Sequence, residues 1–212
     1  MKMKKWGAII VMSGIAPLVA GADEAGVYAA IDAGQSKFKD YCNFSAADYV
    51  ALGVSGLTCG DTDTGYRVSL GYRANENFSG EIGYFDAGKV SANLVGVYLG
   101  IPYTALVSTK DKAWQFVAVG SLPLAERFSV FGKAGVSLWD VTTTTNATVT
   151  NVTALGNQSE TGSDFLWGIG VKFDFNENIA IRAQYETSKA GKDDTTGRGS
   201  VEFLSAGLVY NF

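Results

Sequence analysis

The chain has 212 residues, of which 47% are hydrophobic and 18% charged, with 26 Gly, 3 Pro, 2 Cys and no His. That composition excludes a disordered chain, and the lack of histidine removes imidazole-dependent hydrolases and most zinc sites. A formal net charge of −4 argues against electrostatic binding to nucleic acid.

Lys2, Lys4 and Lys5 form a positive stretch ahead of an apolar run from Trp6 to Val19, interrupted by Pro17. Ala20-Gly21-Ala22 then supplies the small-x-small pattern of signal-peptidase cleavage, so residues 1–22 read as a signal peptide. The apolar run is shorter than the ~20 residues of a helix that crosses a bilayer. No cysteine follows the small residues, so a lipid anchor is not indicated. Cleavage removes three lysines and leaves 14 Lys and Arg against 21 Asp and Glu, a net charge of −7 over residues 23–212. An exported chain meets an oxidising compartment, which permits a Cys42–Cys59 bridge. A two-thiolate metal site is the alternative and lacks further ligands, so a disulfide worth ~3 kcal/mol is expected.

From Gly26 onward the pattern has period two, the signature of strands. The first segment sets Val27, Ala29, Ile31 and Ala33 against Asp32 and Gly34. In the second, Tyr66, Val68, Leu70 and Tyr72 oppose Arg67, Ser69, Gly71 and Arg73. The third places Phe78, Gly80, Ile82 and Tyr84 opposite Ser79, Glu81, Gly83 and Phe85. The fourth, Trp114 to Leu122, is apolar on both faces and shows no parity. Val130, Ala134, Val136 and Leu138 then oppose Ser129, Lys133, Gly135 and Ser137. Phe165, Trp167, Ile169, Val171 and Phe173 oppose Gly168, Gly170, Lys172 and Asp174. The seventh sets Ile179, Ile181, Ala183 and Tyr185 against Arg182, Gln184, Glu186 and Ser188. The last sets Leu204, Ala206, Leu208, Tyr210 and Phe212 against Ser205, Gly207 and Asn211.

One face therefore carries no charge, and the other carries Asp32, Arg67, Arg73, Glu81, Lys133, Lys172, Asp174, Arg182 and Glu186. Ala74–Asn77, Pro123–Arg127 and Asn176–Asn178 read as tight turns. Ser36–Asp63, Asp86–Lys112, Asp140–Ser163 and Lys189–Gly199 read as long loops, which makes eight antiparallel strands. Short turns at one end and long connections at the other describe an all-β, up-and-down transmembrane barrel over residues 23–212. A soluble lipocalin-type barrel would alternate too, with its apolar face inward. Aromatics near segment ends, and Gly and Ser crowding the charged face, favour the membrane.

Glu81-Ile82-Gly83-Tyr84-Phe85-Asp86-Ala87-Gly88 resembles a segment of the outer-membrane protein A-like (OmpA-like) barrel family. So do Leu122-Pro123-Leu124 with Phe128 to Lys133, Gly168 to Val171, and Arg182-Ala183-Gln184-Tyr185. The closing Leu204 to Phe212 resembles the family's last strand, whose terminal aromatic the barrel-assembly machinery recognises; Tyr210 and Phe212 would carry that signal. The resemblance implies the outer membrane of a Gram-negative bacterium. Many members add a peptidoglycan-binding domain after the barrel; this chain stops at Phe212, so a wall-tethering role is not expected. In that family interior salt bridges can gate a narrow path, and Glu81 and Arg182 match two such positions. Lys172 stands where the best-known member has an acidic residue.

The interior charges read either as a polar filling of a barrel too narrow to conduct or as the gate of a small pore. An ion pair between Glu81 and Arg182 is expected. Val90 to Thr109 runs without a charge. It reads as strands packed on each other above the membrane, or as an exposed apolar patch. Thr142 to Ser163, with sequons at Asn146, Asn151 and Asn157, reads as a solvated, mobile loop. Lipid-modifying barrels rely on a catalytic His that is missing here, so an enzyme is the least favoured class. The expected role is structural or surface interaction, with a small pore as the alternative. No cofactor is implied. The expected partners are outer-membrane lipid and lipopolysaccharide, the assembly machinery and a surface ligand of the long loops, for a monomer.

Overall fold

The structure, a computed structural model, describes residues 25–43, 53–150, 152–190 and 199–212. The leader over residues 1–22, residues 44–52 of the first loop, Asn151 and residues 191–198 of the last loop lie outside the described residues. Among the described residues every regular element is a strand: β1 (Gly26–Phe38), β2 (Val54–Gly60), β3 (Thr62–Arg73), β4 (Phe78–Tyr98), β5 (Ile101–Ala125), β6 (Phe128–Val149), β7 (Val152–Asp174), β8 (Ile179–Ala190) and β9 (Gly199–Asn211). β1 and β3–β9 close into a ring of eight, in which β1 pairs with both β3 and β9 and β4 with both β3 and β5. All neighbours are antiparallel. Closure leaves no open edge in the ring, the condition a backbone surrounded by hydrocarbon imposes.

The two faces of each strand have opposite surroundings, and the apolar one faces out. On β3, Tyr66, Val68, Leu70 and Tyr72 are each more than half exposed, while Arg67 and Ser69 are 2% exposed. Water would penalise such an inversion; a lipid surround favours it. β5, whose parity the sequence hides, points Trp114 and Phe116 outward and Gln115, Val117 and Val119 inward. Its outward apolar band runs from Trp114 to Leu124. At ~3.3 Å per residue on a tilted strand, that matches an apolar belt of about 25 Å. Aromatic pairs mark the edges of the belt. Tyr84–Trp114 and Trp167–Tyr185 stand toward the long hairpins, and Phe173–Phe175 and Tyr210–Phe212 toward the short turns.

Two of the short turns share one device. Asn75 Oδ1 accepts from the Asn77 and Phe78 amides, and Asn176 Oδ1 from those of Asn178 and Ile179, each in an Asn-Glu-Asn run.

The long connections differ from the expectation of loops. Asp86–Lys112 is a continuous β4–β5 hairpin paired out to Tyr98↔Ile101, so its strands do pack on each other above the belt. Thr142–Ser163 is not an irregular loop either, because β6 and β7 remain paired to Val149↔Val152. The reason is β-branched Thr on facing positions: Thr142 bonds Ser159, Thr144 bonds Asn157, and Thr148 bonds Thr153. Within Ser36–Asp63, β2 forms a further strand on β4, from Gly60↔Ser91 to Val54↔Gly96.

Candidate functional site

Six of the nine inward charges meet in one cluster at mid-barrel. Asp32 comes from β1, Arg67 from β3, Glu81 from β4, Lys133 from β6, and Arg182 and Glu186 from β8; none is more than 6% exposed. Arg182 donates from Nε (2.8 Å) and Nη2 (2.7 Å) to the two oxygens of Asp32, and from Nη1 to Glu81 Oε1 (2.6 Å). Arg67 donates from Nε (3.1 Å) and Nη2 (2.9 Å) to Asp32 Oδ2, and from Nη1 to Glu186. Lys133 Nζ lies 2.9 Å from Glu81 Oε2 and 3.7 Å from Glu186 Oε2. The Tyr28 hydroxyl donates to Glu81 Oε1 at 2.9 Å. Three cations thus meet three carboxylates, a neutral set that burial tolerates because every charge is paired and hydrogen-bonded.

Glycines on the same face make the room. A Cβ at Gly207 would fall 2.1 Å from Asp32 Oδ1, one at Gly71 2.1 Å from the Tyr28 ring, and one at Gly168 2.6 Å from Glu186 Cγ.

The other three charges lie nearer the short turns. Arg73 donates to Asn211 Oδ1 (2.8 Å), and Lys172 pairs with Asp174 (3.1 Å). Lys172 is the Cα partner of Arg182, yet its ammonium turns away to Asp174. Cys42 and Cys59 are joined by a disulfide. Tyr210 and Phe212 face outward at the end of β9 with their rings 5.0 Å apart.

Above the charges lies a layer that the sequence analysis does not identify. Phe38, Phe85, Trp139 and Phe203 fill the lumen together with Val90, Ala113 and Val201. The Phe85 and Phe203 rings are 4.9 Å apart. Inward parity from Glu81 to Phe85 carries the signal for one member; Trp139 and Phe38 fall at segment ends that look like loop.

Two cavities flank the stack. A chamber of about 1170 Å³ opens among the short turns and ends on Tyr28, Glu81, Lys133 and Arg182. A smaller one of about 350 Å³ lies at the opposite mouth, floored by Phe38, Val107, Val141 and Val201. They share no lining residue.

Asp111, on β5 beyond the outward apolar band, is 2% exposed, and its Oδ1 has no hydrogen-bond partner among the described residues. Burial, reinforced by the charges of Asp86 and Asp140, pushes its carboxyl up to about 7. Asp111 is concealed in the sequence because it falls within Asp86–Lys112, which reads as a loop, and Gln115 because β5 shows no parity there.

An apolar exterior, a charge-filled interior and short turns at one end define an eight-stranded outer-membrane β-barrel. The chain belongs to the OmpA-like transmembrane domain family, whose model matches residues 22–212. Among solved structures it is similar to Ail, the attachment invasion locus protein of Yersinia pestis, at 16% identity and a TM-score of 0.50, over 88% of this chain and 99% of that one. Neisserial surface protein A is also 16% identical, with a TM-score of 0.49 over 90% and 100%. The N-terminal barrel of Pseudomonas aeruginosa OprF is 12% identical, with a TM-score of 0.49 over 89% and 100%. At such identities the likeness is one of fold. No curated protein matches the chain.

Proposed function

We propose that this chain is a closed, non-enzymatic barrel of the Gram-negative outer membrane, exported through a cleaved leader, that serves a structural or surface-interaction role. The observation carrying this reading is the separation of the two cavities by two successive layers, one of paired charges and one of aromatic rings. A solute crossing the lumen would have to displace both. The hairpins β4–β5 and β6–β7 project beyond the apolar belt and present Val97, Leu99, Val152 and Leu155 to the outside, which suits contact with a surface partner.

The chamber that reaches the charge cluster favours a second reading, a small gated pore. Lys133 lies between two carboxylates and offers the exchange of partners that a gate would use. Liposome swelling separates the two readings. Vesicles carrying the barrel should swell in small sugars no faster than empty ones, whereas rapid swelling would establish the pore.

A further inference from the structure

We propose that the cavity at the outer mouth of the lumen binds a small organic cation, an amine on an apolar body, whose ammonium is held by Asp111 and Glu160. The proposal goes beyond the surface role above and rests on the closed lumen, because an open pore would leave the cavity without a floor.

Register places the two carboxylates. On the lumen face Asp111, Val141 and Glu160 are successive Cα partners across β5, β6 and β7, and Thr109, Thr143 and Gln158 form the next such rung toward the mouth. All of these except Asp111 line the cavity. Asp111 stands immediately beneath it, two residues below Thr109 on the same face and beside Val141 in register. Asp111 and Glu160 are two strand spacings apart, roughly 10 Å at Cα, within reach of one ammonium placed over Val141.

Among the described residues Asp111 finds no donor. On its β4 side the register slips between Asp86 and Lys89, with Gly88 at a φ of 80°. Ala87 and Gly88 offer no donor side chain there, and the amides of this bulge go to other acids. The Gly88 amide donates to Asp86 Oδ1 at 2.9 Å and the Lys89 amide to Asp63 Oδ2 at 2.6 Å. The extra residue reverses the parity of β4, so Val90 enters the aromatic layer and Lys89 turns out of the lumen. Above Asp111, the Thr109 and Thr143 hydroxyls bond each other at 3.2 Å. Asp111 Oδ1 is therefore a buried acceptor left open, a state that costs free energy until a donor arrives.

The described cations near this mouth are engaged or face away. Lys39, in the cavity wall, pairs with Glu202 at 2.6 Å, and Lys37 with Asp61 at 3.7 Å. Lys110 and Lys112 alternate with inward Asp111 and face out, as does Lys189 after inward Ser188. Asp40 and Glu160, both in the cavity wall, have no ion pair among the described residues. The mouth is thus short of positive charge.

The remaining walls select the body of the guest. Phe38, Tyr41, Val107 and Val201 are apolar or aromatic, and the Tyr41 hydroxyl donates to the Val107 carbonyl at 3.2 Å, which fixes the ring in place. Ring faces beside carboxylates attract an organic cation by two routes. A neutral apolar guest would instead cover the carboxylates without partnering them.

Phenethylamine is the probe and phenethyl alcohol its uncharged counterpart. Equilibrium dialysis at pH 8, where Asp111 is ionised, measures both on the barrel in lipid nanodiscs, with uptake by empty nanodiscs subtracted. Wild type should bind the amine at least tenfold more tightly than the alcohol. Asp111→Asn should lose that preference by tenfold or more and leave the alcohol's affinity unchanged. Glu160→Gln should also weaken amine binding, and Glu126→Gln, at the opposite end of the barrel, should not. Equal affinity for the two probes, no saturable uptake of the amine by wild type, or an undiminished preference in Asp111→Asn with folded gel migration would overturn the proposal. Because swelling is measured separately, a closed barrel indifferent to the amine would refute this site and leave the envelope role standing.

Discussion

Replacing Arg182 with Met removes the guanidinium that ties Asp32 to Glu81. Asp32 keeps Arg67 and Glu81 keeps Lys133, but the buried set is left with one excess negative charge. Glu81→Gln leaves the opposite imbalance, because Lys133 then has only Glu186 at 3.7 Å. Breaking a buried pair from one side costs about 3–5 kcal/mol, so each single change should destabilise by that order. The double variant returns the cluster to two cations and two carboxylates. It should therefore recover about 2–3 kcal/mol of the summed cost, a coupling typical of contacting groups. Equilibrium urea unfolding in lipid vesicles, followed by tryptophan emission, measures all three variants. Additivity within about 0.5 kcal/mol would refute the argument that these two residues are paired within a neutral cluster.

Asp111 makes stability depend on pH. Its carboxyl is raised from 3.8 unfolded to about 7 folded, so the stability of the protonated form is complete below pH 3.8 and lost as pH rises through 7. Asp111→Asn should then stabilise the barrel at pH 8 by up to about 4 kcal/mol and leave it unchanged near pH 3.5, as read by urea midpoints. An equal shift at both pH values would remove ionisation as the cause. Reducing the Cys42–Cys59 bridge, which spans a separation of 17 residues, should lower unfolding stability by ~3 kcal/mol. It should also speed proteolysis of the first loop while the barrel keeps its folded gel migration.

The barrel is legible in the sequence because Tyr66 to Tyr72 and Leu204 to Phe212 alternate without interruption. Strict period two assigns a face to each residue whichever solvent lies outside. β5 resists the same reading because Phe116 and Val117 are both apolar and the lumen accepts Val as readily as lipid does. Thr142–Ser163 misleads through composition: Thr, Asn and Ser suit a solvated loop, yet Thr also suits a paired strand, and only the partner strand decides. The bulge at Gly88 reverses parity, so counting along β4 cannot place Lys89. Which charges meet is a matter of depth as well as face. Lys172 shares the inward face with Arg182 and stands beside it in register, but like charge sends its side chain to Asp174.

Planar-bilayer conductance tests the sealed lumen most directly. Wild type should be silent, and so should Glu81→Ala/Arg182→Ala in its folded form, because the rings of Phe85, Trp139 and Phe203 still close the barrel above the charges. Adding Trp139→Ala and Phe203→Ala to that variant should produce discrete current steps. Steps from wild type, or from the charge variant alone, would contradict the account and make the charge cluster a gate.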